Sequence, residues 1–582
     1  MINKNLIKKV LKKNESIVNI GMKKFRVGLI IDNFKVSHNV SELVNFIDNE
    51  QSFDKPVLIT GYKKNLPKTF WQKIIKIFKQ KPLKIVDTII NILIYKLISK
   101  IELSGAMKVF PNYLKKIDLE NNNNFEILPV SGKWSKSGTF LDFTNEDILQ
   151  IIKNDFDCLI RCGSGILKGE ILNSSKFGVI SFHHGDNRVN RGGPCGLWEV
   201  LNGEPSSGFV IQKINNELDG GEVLVRGNLM TLGSWHINKA QLIEKSSIFL
   251  MRFLKKLSEE KRLPEIEGIR LHGNKLYKIE SSKVMLKYVL KNYVPRFLNK
   301  LSDIIISPKI IRWSVAYAQH NNFSKSLWRY QEIPNPKGRF LADPSVFRYG
   351  DCDYIFVEDF FYSDRKGRIS VIKIKNEQHD FLGVVLEEDF HLSFPFVFSH
   401  NNEIYMIPES SKNKDIRLYK CQKFPDKWVL DAILMSNISA ADTMVFFQNK
   451  KWFMLTNICS SGLGDHQSEL HVFFSDDLKS NNWKPITSGN PVIFDSLCSR
   501  NGGLFSHKGA TYRVNQIHGK KHYGKSFGIN KINNISEHEF TEERVSEIGA
   551  NFKKEIISTH GFSANEHIAA VDYARLERLK NN

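Results

Sequence analysis

Phe177-Gly-Val-Ile180, Ser181-Phe182-His183-His184-Gly185-Asp186, Arg191-Gly192-Gly193-Pro194 and Leu218-Asp219-Gly220-Gly221-Glu222-Val223 follow one another in a single stretch of the chain. The apolar run 177–180 stops at polar residues. That is how a buried parallel strand delivers a site at its carboxyl end. Gly208-Phe-Val-Ile-Gln-Lys-Ile214 predicts a second strand and Gly221-Glu-Val-Leu-Val-Arg226 a third. Asp219 then sits in the turn between them, where two glycines let the backbone bend. The result is one imidazole and one carboxylate hung between strands.

Upstream, apolar strands alternate with helical patterns. Phe25–Ile31, Pro56–Thr60, Glu126–Val130 and Asp157–Arg161 read as strands; Ser41–Asp48 and Asn145–Asn154 read as helices, the latter opened by Asn145 with acids in its first turn. The last of these strands runs into Gly163-Ser164-Gly165-Ile166-Leu167. This alternation predicts a parallel, Rossmann-like α/β sheet. Residues 236–261 form an amphipathic helix. A further basic helix over 283–306 is kinked or ended by Pro295, inside a connector spanning 263–310.

The spacing of these motifs resembles the formyl-tetrahydrofolate-dependent formyltransferases. That family carries Asn-x-His, an Arg-Gly eight residues after the His, and Leu-Asp-x-Gly further on. Here the eight-residue interval separates His183 from Arg191, and the likeness covers about residues 140–230. It implies that His183 and Asp219 form the catalytic pair. It further implies that Gly163, Ser164, Gly165, Ile166 and Leu167 touch the folate pteridine, and that Arg191 and Gly192 shape the co-substrate loop. Two departures stand out. Ser181 replaces the family's Asn as the second donor, and Gly185-Asp186-Asn187-Arg188 replaces Ser-Leu-Leu-Pro.

The chemistry explains why these residue types matter. When an amine attacks a formyl carbon, charge builds on the carbonyl oxygen, and donors must already be aimed at it. The implied division of labour has His183 stabilise that oxyanion while Asp219 tunes it and accepts the amine's proton. A serine hydroxyl donates too, but reaches less far than an amide. His184 and Asp186 are a second way to build such a site. Taken singly, a His closing an apolar strand is a structural residue and an Asp before Gly-Gly is a turn former; only together do they read as a site. A binding-only, degenerate version of the fold stays open.

The second half of the chain repeats itself. Asp343-Pro-Ser-Val-Phe347, Phe394-Pro-Phe-Val-Phe398, Asp442-Thr-Met-Val-Phe446 and Asn501-Gly-Gly-Leu-Phe505 each precede a second strand, at a period near that of a propeller blade. A fifth blade combining Trp313–Gln319 with His560–Tyr573 would close a ring and hide its sheet edges. Leu341-Ala-Asp-Pro-Ser-Val-Phe, Leu386-Glu-Glu-Asp-Phe-His-Leu-Ser-Phe-Pro, Met406-Ile-Pro-Glu-Ser410 and Arg500-Asn-Gly-Gly resemble the five-bladed domain of glucosamine inositolphosphorylceramide transferase-type proteins over about 311–575. A more distant likeness to five-bladed glycosidases implies that Asp343, Glu409 and Asp442 line the axis as a sugar site. Two of these carboxylates could run acid–base glycoside chemistry, or the set could hold sugar hydroxyls without cleaving anything.

The expected organisation is an α/β formyltransferase-like domain over 1–262 with a basic helical insertion at 62–117, the connector 263–310, and an all-β five-bladed propeller over 311–582. The 582 residues carry 40 Phe and a net charge of +21. This composition excludes a disordered chain and favours anionic partners. Between Lys63 and Lys116 the only acids are Asp87 and Glu102, and apolar residues recur at helical spacing. This predicts either a membrane-surface contact or a helix on the core with a solvated lysine face. Lys84, Asp87, Lys96, Lys100 and Glu102 make spanning a bilayer expensive. The seven cysteines lack metal-ligand spacing, so no metal is expected, and with no secretion signal visible the expected place is the cytoplasm or the inner membrane face. The two halves together predict formyl transfer to an amino sugar, nucleotide- or lipid-linked, in surface polysaccharide or glycolipid synthesis. The alternative is a propeller-based glycosidase, glycosyl-transfer or sugar-binding protein. Nucleic acid is not expected as a partner: the charge permits initiator-tRNA formylation, but a propeller gives it no reason.

Overall fold

The structure is a computed structural model and describes residues 23–61, 81–135, 138–189, 191–217, 220–264, 276–305, 309–319, 327–376, 378–459, 465–520 and 522–578. The chain divides into two units. One comprises Met1–Asn202, Ser207–Gly227 and Leu232–Tyr293; the other comprises Gly203–Ser206, Asn228–Thr231 and Val294–Asn582. The border thus falls at Tyr293/Val294, inside the segment read as a connector.

The first unit is built on a seven-stranded sheet of β1 (Val27–Ile30), β2 (Val57–Thr60), β3 (Glu126–Pro129), β4 (Cys158–Arg161), β5 (Val179–His183), β6 (Ser206–Lys213) and β7 (Glu222–Met230). Its spatial order is β7-β6-β5-β4-β1-β2-β3. β1 pairs in parallel with both β2 and β4, and β5 pairs in parallel with β4. β6 runs antiparallel to β5. The strand order therefore reverses between β1 and β4, where α/β sheets open a crevice at their carboxyl ends. β1, β2 and most of β4 are buried, which is why they read as unbroken apolar runs.

Among the described residues six helices belong to this unit: α1 (His38–Asn49), α2 (Pro82–Val109), α3 (Asn145–Lys153), the short α4 (Leu197–Asn202), α5 (Trp235–Glu260) and α6 (Ser282–Asn292). α3 buries Ile148, Ile151 and Ile152 in a core with Ile30, Ile59, Phe156 and Leu159. Its cap is Thr144, one residue earlier than the sequence suggested. Thr144 Oγ1 accepts from the Asp147 N–H at 3.2 Å, and the Asp147 carboxylate accepts from the Thr144 N–H at 3.0 Å. The reciprocal pair satisfies two helix-end donors, so Asn145 becomes the first helical residue. The single helix expected over 283–306 is two: α6 (Ser282–Asn292) and α7 (Val294–Ile305), broken at Tyr293. Pro295 stands at the second position of α7, where its missing N–H costs nothing.

From Lys309 onward, the second unit is all-β and propeller-like. Among the described residues it holds five antiparallel sheets. Four come from consecutive segments: 339–386, 393–436, 440–494 and 501–549. The other pairs Lys309–Gln319 with Ile568–Arg578 residue by residue, from Lys309↔Arg578 to Gln319↔Ile568. Its alternating apolar residues pack between neighbouring sheets; Tyr405, Ile407 and Leu418 meet Val445, Trp452 and Met454, for example.

Candidate functional site

Ser181 and His183 are two apart on β5, so their side chains leave the same face of the sheet. His183 is the last residue of the strand and is half-buried. The register pairs Ser181 with Gln212 and His183 with Val210. Cross-strand partners share a face, so Gln212 joins Ser181. Asp219 and Leu218 lie outside the described residues. Their flank is described: a Cβ on Gly221 would stand 2.8 Å from the Gln212 side chain. The glycine therefore permits the turn to lie against the residue beside Ser181, and Asn215 Nδ2 closes that turn onto the Gly220 carbonyl at 2.5 Å.

Ser181 is buried, and its hydroxyl is engaged within the protein. It donates to the Phe182 carbonyl at 3.2 Å and accepts from Arg161 Nη1 at 3.4 Å. Arg161 also donates to the Gly165 carbonyl. One guanidinium at the end of β4 thus ties the Ser181 strand to the Gly163–Leu167 loop. That loop starts at the sheet crevice, where Asp32, just past β1, accepts from the Ser164 N–H at 3.0 Å and from its hydroxyl at 2.6 Å. Gly165 has φ +93°, and a Cβ there would strike the Trp134 ring at 2.5 Å. Ile166 and Leu167 pair with Phe140 and Leu141, and the Ile166 N–H is bound to the Thr139 carbonyl at 2.8 Å.

Other residues take structural positions. Arg191 and Gly192 form a short ladder with Leu276 and Tyr277. Gly192 has φ +105°, and a Cβ would come within 2.1 Å of the Tyr277 carbonyl, which explains the glycine. His184 stacks on Phe182 and meets the Ser246 hydroxyl at 3.1 Å. Burial, reinforced by His183 and Lys239, pushes its pKa down to about 4, so it is neutral. Asp186 is locked by Arg188 at 2.7 Å and Arg226 at 2.6 Å. Burial raises its pKa, but the hydrogen bonds from Arg188 and the charge of Arg226 outweigh that and hold it low. His184 and Asp186 are thus committed to packing and an ion-pair cluster, and do not rebuild the site in another geometry.

The propeller-like unit gathers a different constellation. Asp343, Phe394 and Asp442 each lie in a sheet's first strand at a register shift, with φ of +50°, +44° and +48°. Non-glycine residues avoid this region unless their surroundings impose it. Asp343 and Asp442 are brought into one electrostatic cluster with Glu409. Arg500 binds Asp442 and reaches Glu409 at 3.4 Å. His560 lies 2.6 Å from Asp572 through Nδ1 and 3.8 Å from Asp343 through Nε2.

Four residues in this cluster escaped the sequence reading in any functional role: Glu358, Arg500, His560 and Asp572. Glu358 faces Asp343, Glu409, Asp572 and Asp442; burial and then those charges drive its pKa well up. Burial also raises Asp442 strongly, against the pull of Arg500. Burial takes Asp343 to about 6, against the pull of His560. For Glu409 the balance reverses: Arg500 overcomes burial and holds it low. His560 is raised because Asp572 outweighs its burial. Asp343, His560 and Asp572 are close enough to suggest metal ligands. The donor set does not suit one. Asp572 already accepts the N–H groups of Asp343, His560 and Gly561, and faces the imidazole besides.

Tyr523 extends beside these groups and is 41% exposed. It stacks on His518 with centroids 4.7 Å apart and meets His560 edge-on at 5.1 Å. The cavity bordered by Asp343, Ser345, Phe396 and Leu504 is only about 50 Å³, room for a water or two.

Residues 330–575 match the family described as "Glucosamine inositolphosphorylceramide transferase 1, N-terminal". The curated protein of that name from Oryza sativa subsp. japonica is 33% identical over 212 residues, 36% of this chain and 28% of the relative. Its counterpart from Arabidopsis thaliana is 34% identical over 212 residues, 35% of this chain and 27% of that protein. The chain thus spans less than a third of the length of these relatives. Methionyl-tRNA formyltransferase of Clostridium beijerinckii is 29% identical over 183 residues, 30% of this chain and 54% of that enzyme. Among solved structures, the catalytic domain of a Coprinopsis cinerea GH62 α-L-arabinofuranosidase overlaps at a TM-score of 0.33 with 10% identity, covering 45% of this chain and 97% of that one.

Proposed function

We propose that the protein is a transferase whose first unit moves a formyl group from formyl-tetrahydrofolate to the amino group of a sugar, and whose propeller-like unit holds sugar. One observation carries the reading. Ser181 and His183 share a sheet face at the carboxyl end of β5, with the Gly163–Leu167 loop tied to that face through Arg161. The relation to a methionyl-tRNA formyltransferase supports the donor, and the transferase likeness of residues 330–575 supports a glycolipid or polysaccharide setting.

In this reading the acceptor amine attacks the formyl carbon, the bond from that carbon to the folate nitrogen breaks, and the folate nitrogen leaves carrying a proton in exchange for the one the amine gives up. His183 donates to the oxygen as it becomes an oxyanion, and Asp219 takes the amine's proton. Ser181 contributes by fixing Arg161 and the strand rather than by donating to the oxyanion, since its hydroxyl proton lies on the Phe182 carbonyl. The Gly163–Leu167 loop would border the pteridine, with Ser164 and Ile166 lending their N–H groups to the fold rather than to the ligand. Incubation with formyl-tetrahydrofolate and a panel of amino-sugar nucleotides tests this. Formylated product from the parent, lost in His183→Ala, is the expected result; no product with any acceptor removes the proposal.

A second reading places catalysis in the propeller-like unit. It is favoured by Glu358, whose carboxyl burial pushes well up in pKa, standing in one cluster with Asp343. Sugar release from a glycoside panel, abolished by Glu358→Gln, would establish it in place of simple binding.

A further inference from the structure

The two helices α2 and α6 pack together through one face each. Ile94 and Ile98 of α2 join Met285, Tyr288 and Val289 of α6 in a small core. Beside it, a neighbouring face of α2 has no such cover among the described residues. Leu83, Val86, Ile90, Leu93 and Leu97 recur at helical spacing and form one stripe. Leu83 is 87% exposed, Leu93 62% and Leu97 60%. On α6, Leu286 and Leu290, one turn apart, are 44% and 61% exposed. Single exposed apolar residues need no explanation, but a continuous stripe on two neighbouring helices does.

The charges on these helices are sorted. All seven cations are lysines: Lys84, Lys96, Lys100 and Lys108 on α2, and Lys283, Lys287 and Lys291 on α6. All are exposed, and none has a carboxylate partner among the described residues. The two acids turn inward. Asp87 caps α6 by accepting from the Ser282 N–H at 3.1 Å and its hydroxyl at 2.5 Å. Glu102 is buried, taking Tyr288 at 2.6 Å, Tyr293 at 2.8 Å and the His236 N–H at 3.0 Å. The outward surface is therefore apolar with a rim of one sign.

We infer that this face of α2 and α6 docks on the surface of an anionic lipid bilayer, with the leucine and isoleucine stripe at the acyl boundary and the lysines among the headgroups. A second copy of the chain is the rival occupant. It would bring two lysine rims together, and like charges across an interface repel. Anionic lipid neutralises them, and long lysine stems reach headgroups while their carbons lie on apolar surface. The face lies on the bilayer and does not cross it: no helix among the described residues is long and apolar enough to span.

The test is co-sedimentation of the full chain with phosphatidylcholine vesicles with and without 30% phosphatidylglycerol, a composition chosen to carry the anionic charge. At least tenfold stronger partition onto the anionic vesicles is expected, falling steeply with salt. Leu93→Glu/Leu97→Glu should abolish it. Lys96→Gln/Lys100→Gln should weaken it at least about fivefold. Leu430→Glu/Ile433→Glu, at exposed positions on the propeller-like unit, should leave it unchanged. All the substituted side chains are exposed, so circular dichroism should match the parent. Equal partition onto neutral vesicles, or full binding by Leu93→Glu/Leu97→Glu, would overturn the inference. So would a lipid-free oligomer that this variant dissociates, which would assign the face to a second copy.

Discussion

The two units hold their polar groups in opposite ways. In the α/β unit, Ser181, His183 and the Gly163–Leu167 loop sit at strand ends, and Ser181 and the loop are held by one guanidinium, Arg161, and one carboxylate, Asp32. In the propeller-like unit, Asp343, Glu358, Asp442 and Asp572 are buried charges or acids that answer mainly to one another, to Arg500 and to His560. The first arrangement rests on two such charged groups, neither of them fully buried. The second exists only when segments far apart in sequence have assembled. A substitution at the first should therefore cost chemistry, and at the second should cost the fold.

Arg500→Met is the largest expected effect. It leaves Asp442 and Glu409 buried without their cation, and breaking one side of a buried pair costs about 3–5 kcal/mol. Chemical denaturation should show that loss; a drop below about 1 kcal/mol would mean the cluster is wetter than its burial implies. His183→Ala is the counterpart. Formyl transfer should fall about 10²–10³-fold, while unfolding shifts by less than about 1 kcal/mol. A variant that unfolds as readily as Arg500→Met would erase the contrast between the units.

The same contrast governs what could be read in the sequence. β1, β2, β4 and β5 were legible because buried parallel strands are continuous apolar runs, and the His183–Arg191 interval because a motif is a local distance. The opening residues of the propeller repeats were legible for the same reason, as recurring Asp-Pro and Asp-Thr steps. Glu358 was not: within Asp353-Tyr-Ile-Phe-Val-Glu358 it reads as the end of a strand. Nor was the service of Arg500 to Asp442, 58 residues away, or of Asp572 to Asp343, 229 residues away. No periodicity encodes which distant carboxylate a buried cation will meet. The inward turn of Asp87 and Glu102 was hidden likewise, since a helix pattern does not say which neighbour packs against it.

Protonation gives a finer test. Asp343 rises on folding from its ordinary value to about 6, chiefly through burial. A carboxyl raised in the folded state stays protonated there while the unfolded chain ionises, so the stability it allows is complete below about pH 4 and is lost as pH climbs through 6. Glu358 and Asp442 are raised too, and His560 is raised by Asp572, so all four push in the same direction. The buried His184, His236 and His518 are lowered and push the other way, so the readout is the difference between parent and Asp343→Asn: the parent's stability relative to that variant should fall from pH 4.5 to 7. A difference that instead rises over that range would mean an ionised, well-solvated carboxylate at position 343.

The smallest effect separates two neighbouring residues in the α/β unit. Thr144→Ala removes the hydroxyl that accepts the Asp147 N–H and leaves a helix-end donor unmet, at a cost of about 1 kcal/mol. Asn145→Ala touches only the first helical residue and should stay within about 0.5 kcal/mol. α3 sends Ile148, Ile151 and Ile152 into the core beneath β1 and β4, so a frayed first turn is felt where the Ser164–Asp32 contact is anchored. If Asn145→Ala is instead the costlier change, the helix begins one residue later than the capping geometry places it. In that case the hydrogen bonds at 3.0 and 3.2 Å between Thr144 and Asp147 contribute little to holding this end of the sheet.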